Sequence, residues 1–515
     1  MAMNTMELES AERPNSSGKG PIKFLVAWVK KRPLQALYYG ILLSFFVIML
    51  ATGNPIFAAM FAFLYFCILY AWENIFRLAW LENDGERKAA ISCCNTGKTV
   101  TRELLCYAIW SLYLLFAFTS FVSSSALSGT EPNGYVIFSY SILGSMGVLF
   151  LSVTIVDILD AQRRLASKCG LCEKLNTSLD EKKVYQVKSI LSIAICALLT
   201  ILALANGYNK GWTTKLEVPI KRLPACLDGF KLGLFSDLHA GVLIGKDEIE
   251  RHVLEMNKES VDIMILSGDM ADGSPKIVSG ALQPIITKLK TKFGVYFSTG
   301  NHEYLHGAGP GEWEEWWDSQ GVVVLHNNIT AVPSLTKGGP YSSNCNATFD
   351  LVGVPDLGHN PKLKETLAGS DQSRAKILIA HQPLEVIQAA KEKVDLQLSG
   401  HTHAGHLFPL QIAISLTNRG YIHGMDKLEE TYLYTSAGTT GWGPRTRLWS
   451  FNERTVITLR SGIGAPSGDV YRTSLSIAVV LSAFVFLAFC AGCINSIIVP
   501  SVRNTKMYYD ENYKK

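Results

Sequence analysis

The sequence predicts a chain with two kinds of structure, a multi-pass α-helical membrane region and an α/β domain. Of its 515 residues, 48% are hydrophobic and only 18% are charged, and its mean hydropathy is +0.17, values that are typical of a membrane protein. In the second half of the chain, five short runs rich in Val, Ile, Leu and Phe each stop at a polar cluster, as the buried strands of an α/β sheet do.

Six long apolar stretches predict the membrane region. A polar tail at residues 1–33 comes first, five stretches lie within residues 34–205, and a sixth at residues 474–499 precedes a second polar tail at 500–515. The first five lie near Leu34–Ala51, Ile56–Trp72, Leu104–Val122, Tyr135–Val156 and Ser189–Ala205. Each is about long enough to cross a bilayer and has no charged residue in its interior, so we predict six transmembrane helices, with buried core helices as the alternative. No small-residue cleavage site follows the first stretch, which we interpret as an uncleaved anchor.

The charges of the loops predict the orientation of these helices. Basic residues concentrate in the N-terminal tail, after the second and fourth stretches and in the C-terminal tail, whereas the turn TGNP and the loop SSSALSGTEPNG have none. Because basic loops stay in the cytosol, both termini should be cytosolic and residues 206–470 lumenal or extracellular. There Asn328 and Asn346 lie in glycosylation sequons, and Cys226 and Cys345 could form a disulfide.

Five motifs with metal-ligating side chains end the strand-like runs KLGLFS, VDIMILS, FGVYFST, KILIA and LQLS, within a predicted catalytic domain at residues 213–465. The motifs are Asp237-Leu238-His239, Gly268-Asp269-Met270-Ala271-Asp272, Gly300-Asn301-His302-Glu303, His381 and Gly400-His401-Thr402-His403. Ligands of an open α/β sheet bind beyond the carboxyl ends of its strands, so we expect these side chains to converge. Asp, His and Asn together are the composition of a two-metal hydrolytic site.

This series of motifs resembles the calcineurin-like metallophosphoesterase superfamily, whose pattern is D-x-H, G-D-x-x-D, G-N-H-[DE], a lone H and G-H-x-H. All five blocks are present in that order, and the tail LYTSAGTTGWGPRTRLWS is similar to the closing segment of membrane-tethered members. The resemblance covers roughly residues 213–462. It implies an α/β sandwich in which two central β-sheets are flanked by helices, with the site at the strand C-termini.

The resemblance also implies a role for each motif residue. One metal ion would be held by Asp237, His239 and His403, a second by Asn301, His381 and His401, and Asp269 would bridge the two. His302 would stand beside the leaving group as an acid, and Asp272 would accept the other ring N–H of His302 and fix its tautomer. Imidazole and carboxylate together suit Mn, Fe, Zn or Co, and the resemblance favours Mn.

The predicted activity is hydrolysis of a phosphate ester, since two divalent ions can activate water and hold the attacking and leaving oxygens. The ligands do not distinguish a monoester from a diester. A site flanked by membrane spans favours a substrate in the bilayer, such as a phospholipid or glycolipid headgroup, and no run of basic residues predicts a nucleic-acid partner. The alternative is a non-catalytic membrane receptor or transporter with a metal-binding ectodomain. Against it, no motif ligand is missing and the spans lack ionisable residues.

Some residues outside the metal motifs have two interpretations. His406 stands where soluble relatives often have Gln, and it either contacts substrate phosphate or, the favoured interpretation, is a bystander near the rim. Trp313, Trp316 and Trp317 have helical spacing, and they either pack a helix onto the sheet, which is favoured, or form an apolar lip. Three histidines without a motif are interpreted as surface or core residues: His326, His359 and His423.

Overall fold

The structure, a computed structural model, describes residues 68, 70–72, 74, 75, 96–168, 181–305, 309–333, 345–407 and 410–469. The chain divides into two compact units. The first comprises Met1–Cys106, Leu149–Ile195 and Ala483–Lys515, and the second comprises Tyr107–Val148 and Cys196–Ser482. All of the predicted site residues therefore lie in the second unit.

Within the described residues, three long helices precede the first strand: α1 (Thr96–Ala126), α2 (Gly134–Lys168) and α3 (Glu181–Gly207). They contain the third, fourth and fifth predicted spans. By length and composition, α2 and α3 are apolar enough to cross a membrane, a test that the core helix of a soluble protein also passes, and α1 contributes a shorter apolar segment. The first and sixth predicted spans, and nearly all of the second, lie outside the described residues, so a multi-pass membrane region stays a prediction.

In the first unit, charged side chains pair with one another beyond the apolar part of α2. Asp160 accepts from Arg163 at 2.9 Å and from Arg164 at 2.8 Å, and Lys188 at the start of the apolar part of α3 forms an ion pair with Asp157. Pairing lowers the cost of partly burying these charges. The charged groups of α2 and α3 thus lie at the ends of their apolar segments.

The remaining described residues form two mixed β-sheets flanked by helices, as predicted. In chain order the elements are β1 (Trp212–Ile220), β2 (Lys231–Phe235), α4 (Lys246–Asn257), β3 (Ile263–Ser267), α5 (Pro275–Thr287), β4 (Val295–Ser298), α6 (Pro310–Ser319), β5 (Val323–Val324), β6 (Asn328–Val332), β7 (Phe349–Gly353), α7 (Leu363–Thr366), β8 (Lys376–Ile379), α8 (Val386–Lys391), β9 (Leu396–Ser399), α9 (Leu410–Thr417), β10 (Gly424–Leu428), β11 (Thr431–Thr435), β12 (Glu453–Ser461) and β13 (Ser467–Gly468). The first sheet has the order β13-β1-β12-β2-β3-β4-β5, and the second has the order β10-β11-β9-β8-β7-β6.

The five apolar runs that end in motifs are the strands β2, β3, β4, β8 and β9. Strands β2, β3 and β4 are parallel neighbours in the first sheet, and β8 and β9 are parallel neighbours in the second. Because parallel neighbours end at the same edge of a sheet, the three motifs of one sheet and the two of the other lie at two sheet edges. Packing of the sheets then brings these edges together.

Strand β3 is buried on both faces and anchors the core. Successive side chains of a strand point to opposite faces, so Ile263 and Ile265 pack towards the second sheet, in one buried cluster with Ile377. Met264 and Leu266 point the other way, into a cluster that also contains side chains of the helices α4 and α5. The carboxyl end of β3, which carries the Asp269 motif, is thus fixed by packing on two sides.

Two predictions about the catalytic part are confirmed in this fold. Cys226 and Cys345 form a disulfide bond. Trp313 and Trp317 on α6 are fully buried, and the indole N–H of Trp313 donates to the carbonyl oxygen of Gly273 at 3.1 Å. These two side chains therefore pack α6 onto the sheet, and an apolar lip formed by them is excluded.

A buried carboxylate, Glu453 at the start of β12, links the two sheets. It accepts hydrogen bonds from Thr214 in β1 at 2.6 Å, Tyr434 in β11 at 2.7 Å and the backbone N–H of Ala437 at 2.8 Å, and it contacts His423 at 3.2 Å. Burial alone would raise the pKa of Glu453, but His423 and the hydrogen-bond donors outweigh burial and lower this pKa to about 2.

We expect Glu453→Gln to destabilise the fold at neutral pH. Because the folded-state pKa is depressed, the stabilisation by the carboxylate is present above about pH 4.5, and it disappears as the pH falls towards 2. Its size is about 3 kcal/mol, which corresponds to roughly 10 °C in the unfolding midpoint. Thermal unfolding of the full chain in detergent should show this difference in midpoint between wild type and Glu453→Gln at pH 7, and a smaller difference at pH 3. The exposed Glu430→Gln is the control, and equal midpoints for the two variants at pH 7 would contradict the prediction.

Candidate dimetal site

The five motifs converge into two neighbouring groups of ligand-type side chains. Asp237, His239 and His403 form one group, and Asp269, His381 and His401 form the other, with the ligand atoms of each group within 4.8 Å of one another. The five loops after β2, β3, β4, β8 and β9 deliver the predicted ligands to this place, as the strand order requires. The structure thus brings together six of the seven motif residues that we predicted to hold metal ions, all except Asn301.

Asp269, a member of the second group, also faces the first group, as a bridging carboxylate would. Its Oδ2 is 3.9 Å from Nε2 of His239 in the first group and 3.1 Å from Nε2 of His381 in the second. In the first group, Oδ1 of Asp237 is 3.5 Å from Nε2 of His403. Side chains of both groups therefore face one buried centre.

Two buried polar atoms at this centre lack an aligned hydrogen bond among the described residues. They are Oδ1 of Asn301 and Nε2 of His381, and the latter faces Oδ2 of Asp269 at 3.1 Å. Nδ1 of His381 donates to the carbonyl oxygen of Ser267 at 2.8 Å, so a neutral His381 would direct the lone pair of Nε2 at the site. Burying such atoms unpaired is costly unless a ligand satisfies them. A donor set of carboxylate, imidazole and amide oxygen fits two divalent transition-metal ions.

Burial and mutual charge set the protonation of these groups. Burial raises the pKa of Asp237, whereas for Asp269 the opposing effect of burial is outweighed by His381 and His302, which hold the pKa well below its usual range. Burial lowers the pKa of His401 to about 4. A histidine must be neutral to ligate a metal ion, so His401 is in the form that coordination needs.

The backbone of the motifs is held in a conformation that side chains rarely adopt. Five predicted ligands have positive φ values: Asp237 (56°), His239 (47°), Asp269 (55°), His401 (69°) and His403 (49°). Each such residue costs about 1–3 kcal/mol and persists only where its surroundings fix it, which is most common at functional sites. The loops thus aim these side chains inward at the expense of local stability.

Two motif glycines allow the loops to approach this closely. A Cβ atom on Gly400 would lie 1.7 Å from Oγ of Ser236, and one on Gly268 would lie 2.5 Å from the backbone nitrogen of Gly300. Gly268 also has a φ of +76°, which favours glycine. Any larger residue at either position would push the two sheet edges apart.

Asp272 contacts two histidines, one more than predicted. Its Oδ1 accepts from Nδ1 of His302 at 2.6 Å, as expected, and also from Nδ1 of His239 at 2.9 Å. Burial would lower the pKa of His302, but Asp269 and Asp272 outweigh burial and raise this pKa to about 9. Bound cations would offset these carboxylates. Asp272 therefore orients both a predicted metal ligand and the predicted acid.

We expect Asp272→Asn to weaken metal binding as well as turnover. Losing the carboxylate that orients His239 should raise the dissociation constant of the more weakly held ion by about 10–100-fold. Metal titration of the chelator-treated full chain, followed by elemental analysis, measures the change. The exposed Asp318→Asn on α6 is the matched control. Unchanged metal affinity with slowed turnover would mean that Asp272 serves His302 alone.

Glu303 has a structural function that we did not assign from the sequence. Its carboxylate accepts from the backbone N–H groups of Asp269 at 2.9 Å, Met270 at 2.7 Å and Gly300 at 2.7 Å. Burial, reinforced by Asp269, raises the pKa of Glu303 to about 7. This side chain ties the loop after β3 to the loop after β4. Its place in the Gly-Asn-His-Glu motif is the signal that could have identified it.

Arg447 is a second residue that sequence reasoning missed. It is fully buried and donates to the carbonyl oxygens of Ala437 at 2.9 Å, Thr440 at 2.6 Å and Phe451 at 2.6 Å. Its Nη2 is also 3.2 Å from Nδ1 of His403. The guanidinium thus lies at the ring nitrogen of His403 that does not face Asp237. Burial lowers the pKa of Arg447 to about 10, so it stays charged.

The four histidines that we interpreted outside the metal motifs all have defined surroundings in the structure. His406 is buried, with Nδ1 3.0 Å from the carbonyl oxygen of Thr446, so the prediction that it lies near the rim is wrong. His406 is buried because it packs against residues 433–450, which we call the closing segment: its Nδ1 contacts Thr446, and its carbonyl oxygen accepts from the hydroxyl of Ser450. His326 pairs with Glu314, His359 stacks on Tyr304 and His423 contacts Glu453.

Comparison with known proteins agrees with this geometry. Residues 230–405 match the profile of the calcineurin-like phosphoesterase family. Two similar proteins are called transmembrane protein with metallophosphoesterase domain. The one from Bos taurus is 29% identical over 413 residues, which are 76% of this chain and 91% of the relative. The one from Danio rerio is 30% identical over 361 residues, which are 68% of this chain and 79% of the relative. A putative metallophosphoesterase of Caenorhabditis elegans is 30% identical over 377 residues, 69% of this chain and 75% of the relative.

These matches include the loops that converge on Asp269, and the similarity to the first two relatives extends well beyond the residues that carry the motifs. The chain belongs to the calcineurin-like phosphoesterase family and is a metallophosphoesterase.

Proposed function

We propose that this chain is a membrane-anchored phosphoesterase in which two divalent ions share one buried site. Asp237, His239 and His403 would hold one ion, Asn301, His381 and His401 the other, and Asp269 would bridge them. The observation that supports this most is that the ligand atoms of Asp237, His239 and His403, and those of Asp269, His381 and His401, lie within 4.8 Å of one another in each group, beside the buried and unpaired Oδ1 of Asn301. When bound, the ions supply an activated water and neutralise charge on the phosphoryl oxygens. Manganese is the ion that we favour.

The chain's own residues complete the chemistry of leaving-group departure. Nδ1 of His302 is bonded to Asp272, so its Nε2 faces the site, 4.0 Å from Oδ2 of Asp269. A proton held on Nε2 can pass to the ester oxygen that departs, and Asp272 keeps the ring in the tautomer that allows this. Trp442, whose ring centre is 5.8 Å from that of His302, limits the access of water on this side.

Metal removal tests the proposed activity. The full chain, purified in detergent and stripped with chelator, should lose hydrolysis of bis(p-nitrophenyl) phosphate and p-nitrophenyl phosphate. Dialysis against Mn should restore it, with about two ions bound per chain. Hydrolysis that survives complete metal removal would overturn the proposal, and the ratio of the two rates would show whether diesters or monoesters are preferred.

We also propose that the substrate is an ester presented at the bilayer, such as a phospholipid or glycolipid headgroup, and that no nucleic acid is involved. The support is the short path from the site to α3. The backbone N–H of Arg447 donates to the carbonyl oxygen of Ala203 at 2.9 Å, while its guanidinium contacts His403. Ala203 lies in the last turns of the apolar helix α3. Arg447 alone therefore connects the proposed metal ligand His403 with a proposed transmembrane helix.

The same region supports a lumenal or extracellular site. The loop between α1 and α2, which has no basic residue, contacts the catalytic part, with the N–H of Asn133 donating to the carbonyl oxygen of Val242 at 2.8 Å. A loop that contacts the catalytic part lies on the same side of the membrane as the catalytic part. Loops without basic residues favour the side away from the cytosol. The contact and the charge pattern therefore agree.

Glycan mapping provides a test of this orientation. Asn328 and Asn346 are exposed and should carry glycan, whereas Asn15 and Asn176 should not. Endoglycosidase should shift the mobility of the wild-type chain on a gel and leave the double variant Asn328→Gln, Asn346→Gln unchanged. Protease added to sealed microsomes should spare residues 213–465. Digestion of that region in intact vesicles would place the site in the cytosol instead.

A further inference from the structure

Four large apolar side chains are exposed near the end of α3, in the segment that contacts it and in α9. They are Trp212 (62% exposed), Leu416 (76%), Trp449 (57%) and Phe451 (44%), which we call the apolar rim. Exposure of this much aromatic surface is uncommon away from interaction sites. Neither the metal site nor the core of the catalytic part uses these side chains.

The rim is tied directly to the C-terminal end of α3. Trp212 follows Gly207, the last residue of α3, by five positions. The backbone N–H of Trp212 donates to the carbonyl oxygen of Asn452 at 2.8 Å. Nδ2 of Asn452 in turn donates to the carbonyl oxygen of Gly207 at 2.9 Å. The rings of Trp212 and Phe451 meet edge to face at 6.3 Å. These members of the rim are thus fixed relative to the helix end.

The other two members belong to the segment that closes the metal site and to the helix beside it. Trp449 lies two residues beyond Arg447 and has a φ of +64°, a backbone conformation that side chains rarely adopt. Leu416 is on α9, which Nε2 of Gln411 joins to the carbonyl oxygen of Leu448 at 3.5 Å. Trp442, whose ring centre is 5.8 Å from that of His302, is on the same segment as Trp449 and is 39% exposed. One segment therefore carries both a member of the rim and a residue beside the proposed acid.

We propose that the apolar rim lies in the headgroup layer of the bilayer that α3 enters, so that the metal site receives phosphate esters from the membrane surface. We assign a bilayer as the partner of the rim because the apolar part of α3 is 25 residues long and would end at the membrane surface. Tryptophan and other aromatic residues concentrate at that depth, where one ring surface is apolar and the indole N–H remains hydrated. This proposal for the rim rests on the proposed membrane insertion of α3, and it does not depend on which metal ions are bound.

The chain offers a matched control at the far end of β1. Ile463 is 87% exposed, and the N–H of its neighbour Gly462 donates to the carbonyl oxygen of Ile220, at the opposite end of β1 from Trp212. Eight residue steps of a strand separate the two ends by about 26 Å. Ile463 therefore shares the exposure and apolar character of the rim but lies at the end of β1 that is remote from the end of α3.

Photocrosslinking in vesicles tests the rim. The full chain carrying Trp449→benzoylphenylalanine or Ile463→benzoylphenylalanine would be reconstituted into phosphatidylcholine vesicles and irradiated, and adducts identified by mass spectrometry. We expect phospholipid adducts at position 449 and none above the unirradiated background at 463. Adducts of equal yield at the two positions, no lipid adduct at 449, or adducts to protein at 449, which would indicate the chain's own residues or a second copy, would each overturn the proposal.

Activity of the same samples separates this proposal from the hydrolytic one. Neither position touches the metal site, so both variants should hydrolyse bis(p-nitrophenyl) phosphate at the wild-type rate. Hydrolysis without lipid adducts would refute the rim and leave the phosphoesterase intact. Lipid adducts in a chain that hydrolyses no ester with any divalent ion would keep the rim and refute the proposed catalysis.

Discussion

Replacing Asp269 by asparagine should abolish ester hydrolysis while the fold survives. The neutral amide cannot supply the second anionic oxygen that a bridge between two cations needs. Loss of a metal's contribution, several kcal/mol, lowers the rate by about a thousandfold or more, since about 4 kcal/mol corresponds to that factor. Oδ1 of the new amide can still accept from the backbone N–H of His302, which donates to Asp269 at 2.8 Å in the wild type. Hydrolysis of bis(p-nitrophenyl) phosphate with saturating Mn measures the effect.

Two controls make this result interpretable. Asp318→Asn changes the same group on the exposed face of α6 and should leave the rate unchanged. Thermal unfolding of the metal-free Asp269→Asn chain should match that of metal-free wild type within a few degrees. An Asp269→Asn chain that keeps wild-type turnover after chelation and dialysis against Mn would remove Asp269 from the site.

Replacing His302 by alanine should slow esters of poor leaving groups far more than esters of good ones. An alkoxide needs a proton as it departs, whereas nitrophenolate does not, and general acid catalysis contributes about 10²–10⁴-fold when it is needed. We expect a loss in that range for alkyl phosphate esters and a small loss for nitrophenyl esters. Metal content should remain that of the wild type, because Asn301 and not His302 is the proposed ligand in this loop.

The control for this experiment is His326→Ala, which removes an exposed imidazole that lies between β5 and β6 and pairs with Glu314. It should leave both rates unchanged. Equal slowing of both ester types in His302→Ala, with the metals still bound, would mean that His302 binds phosphate without donating a proton.

The positions of the predicted ligands followed from local sequence alone. Runs such as VDIMILS have the composition of a buried strand, and a residue directly after such a strand has little freedom in where it lies. Asp269 is two residues beyond the end of β3, and His381 is two residues beyond the end of β8. Short distances from rigid strands explain why the motifs were sufficient to predict the convergence.

The contacts that the sequence did not predict depend on longer paths. Arg447 reaches His403 from 44 positions away in the chain, through a segment without periodic pattern, so no local rule indicates where its guanidinium lies. The second partner of Asp272, the ring of His239, is 33 positions away, and the loop after β2 decides its orientation. His406 was misplaced for the same reason, because only the path of the closing segment shows that it is covered.

The packing of α2 and α3 against the closing segment means that the catalytic part is not an independent module. Val136 and Tyr140 of α2 belong to the same buried cluster as Leu238, the middle residue of the first metal motif, and Leu243, four residues beyond that motif. A chain cut at residue 213 would expose that cluster to water and strip Arg447 and Asn452 of acceptors in α3. A soluble truncation would then fail for reasons unrelated to its chemistry, and engineering of this enzyme has to retain its helices and a detergent or lipid environment.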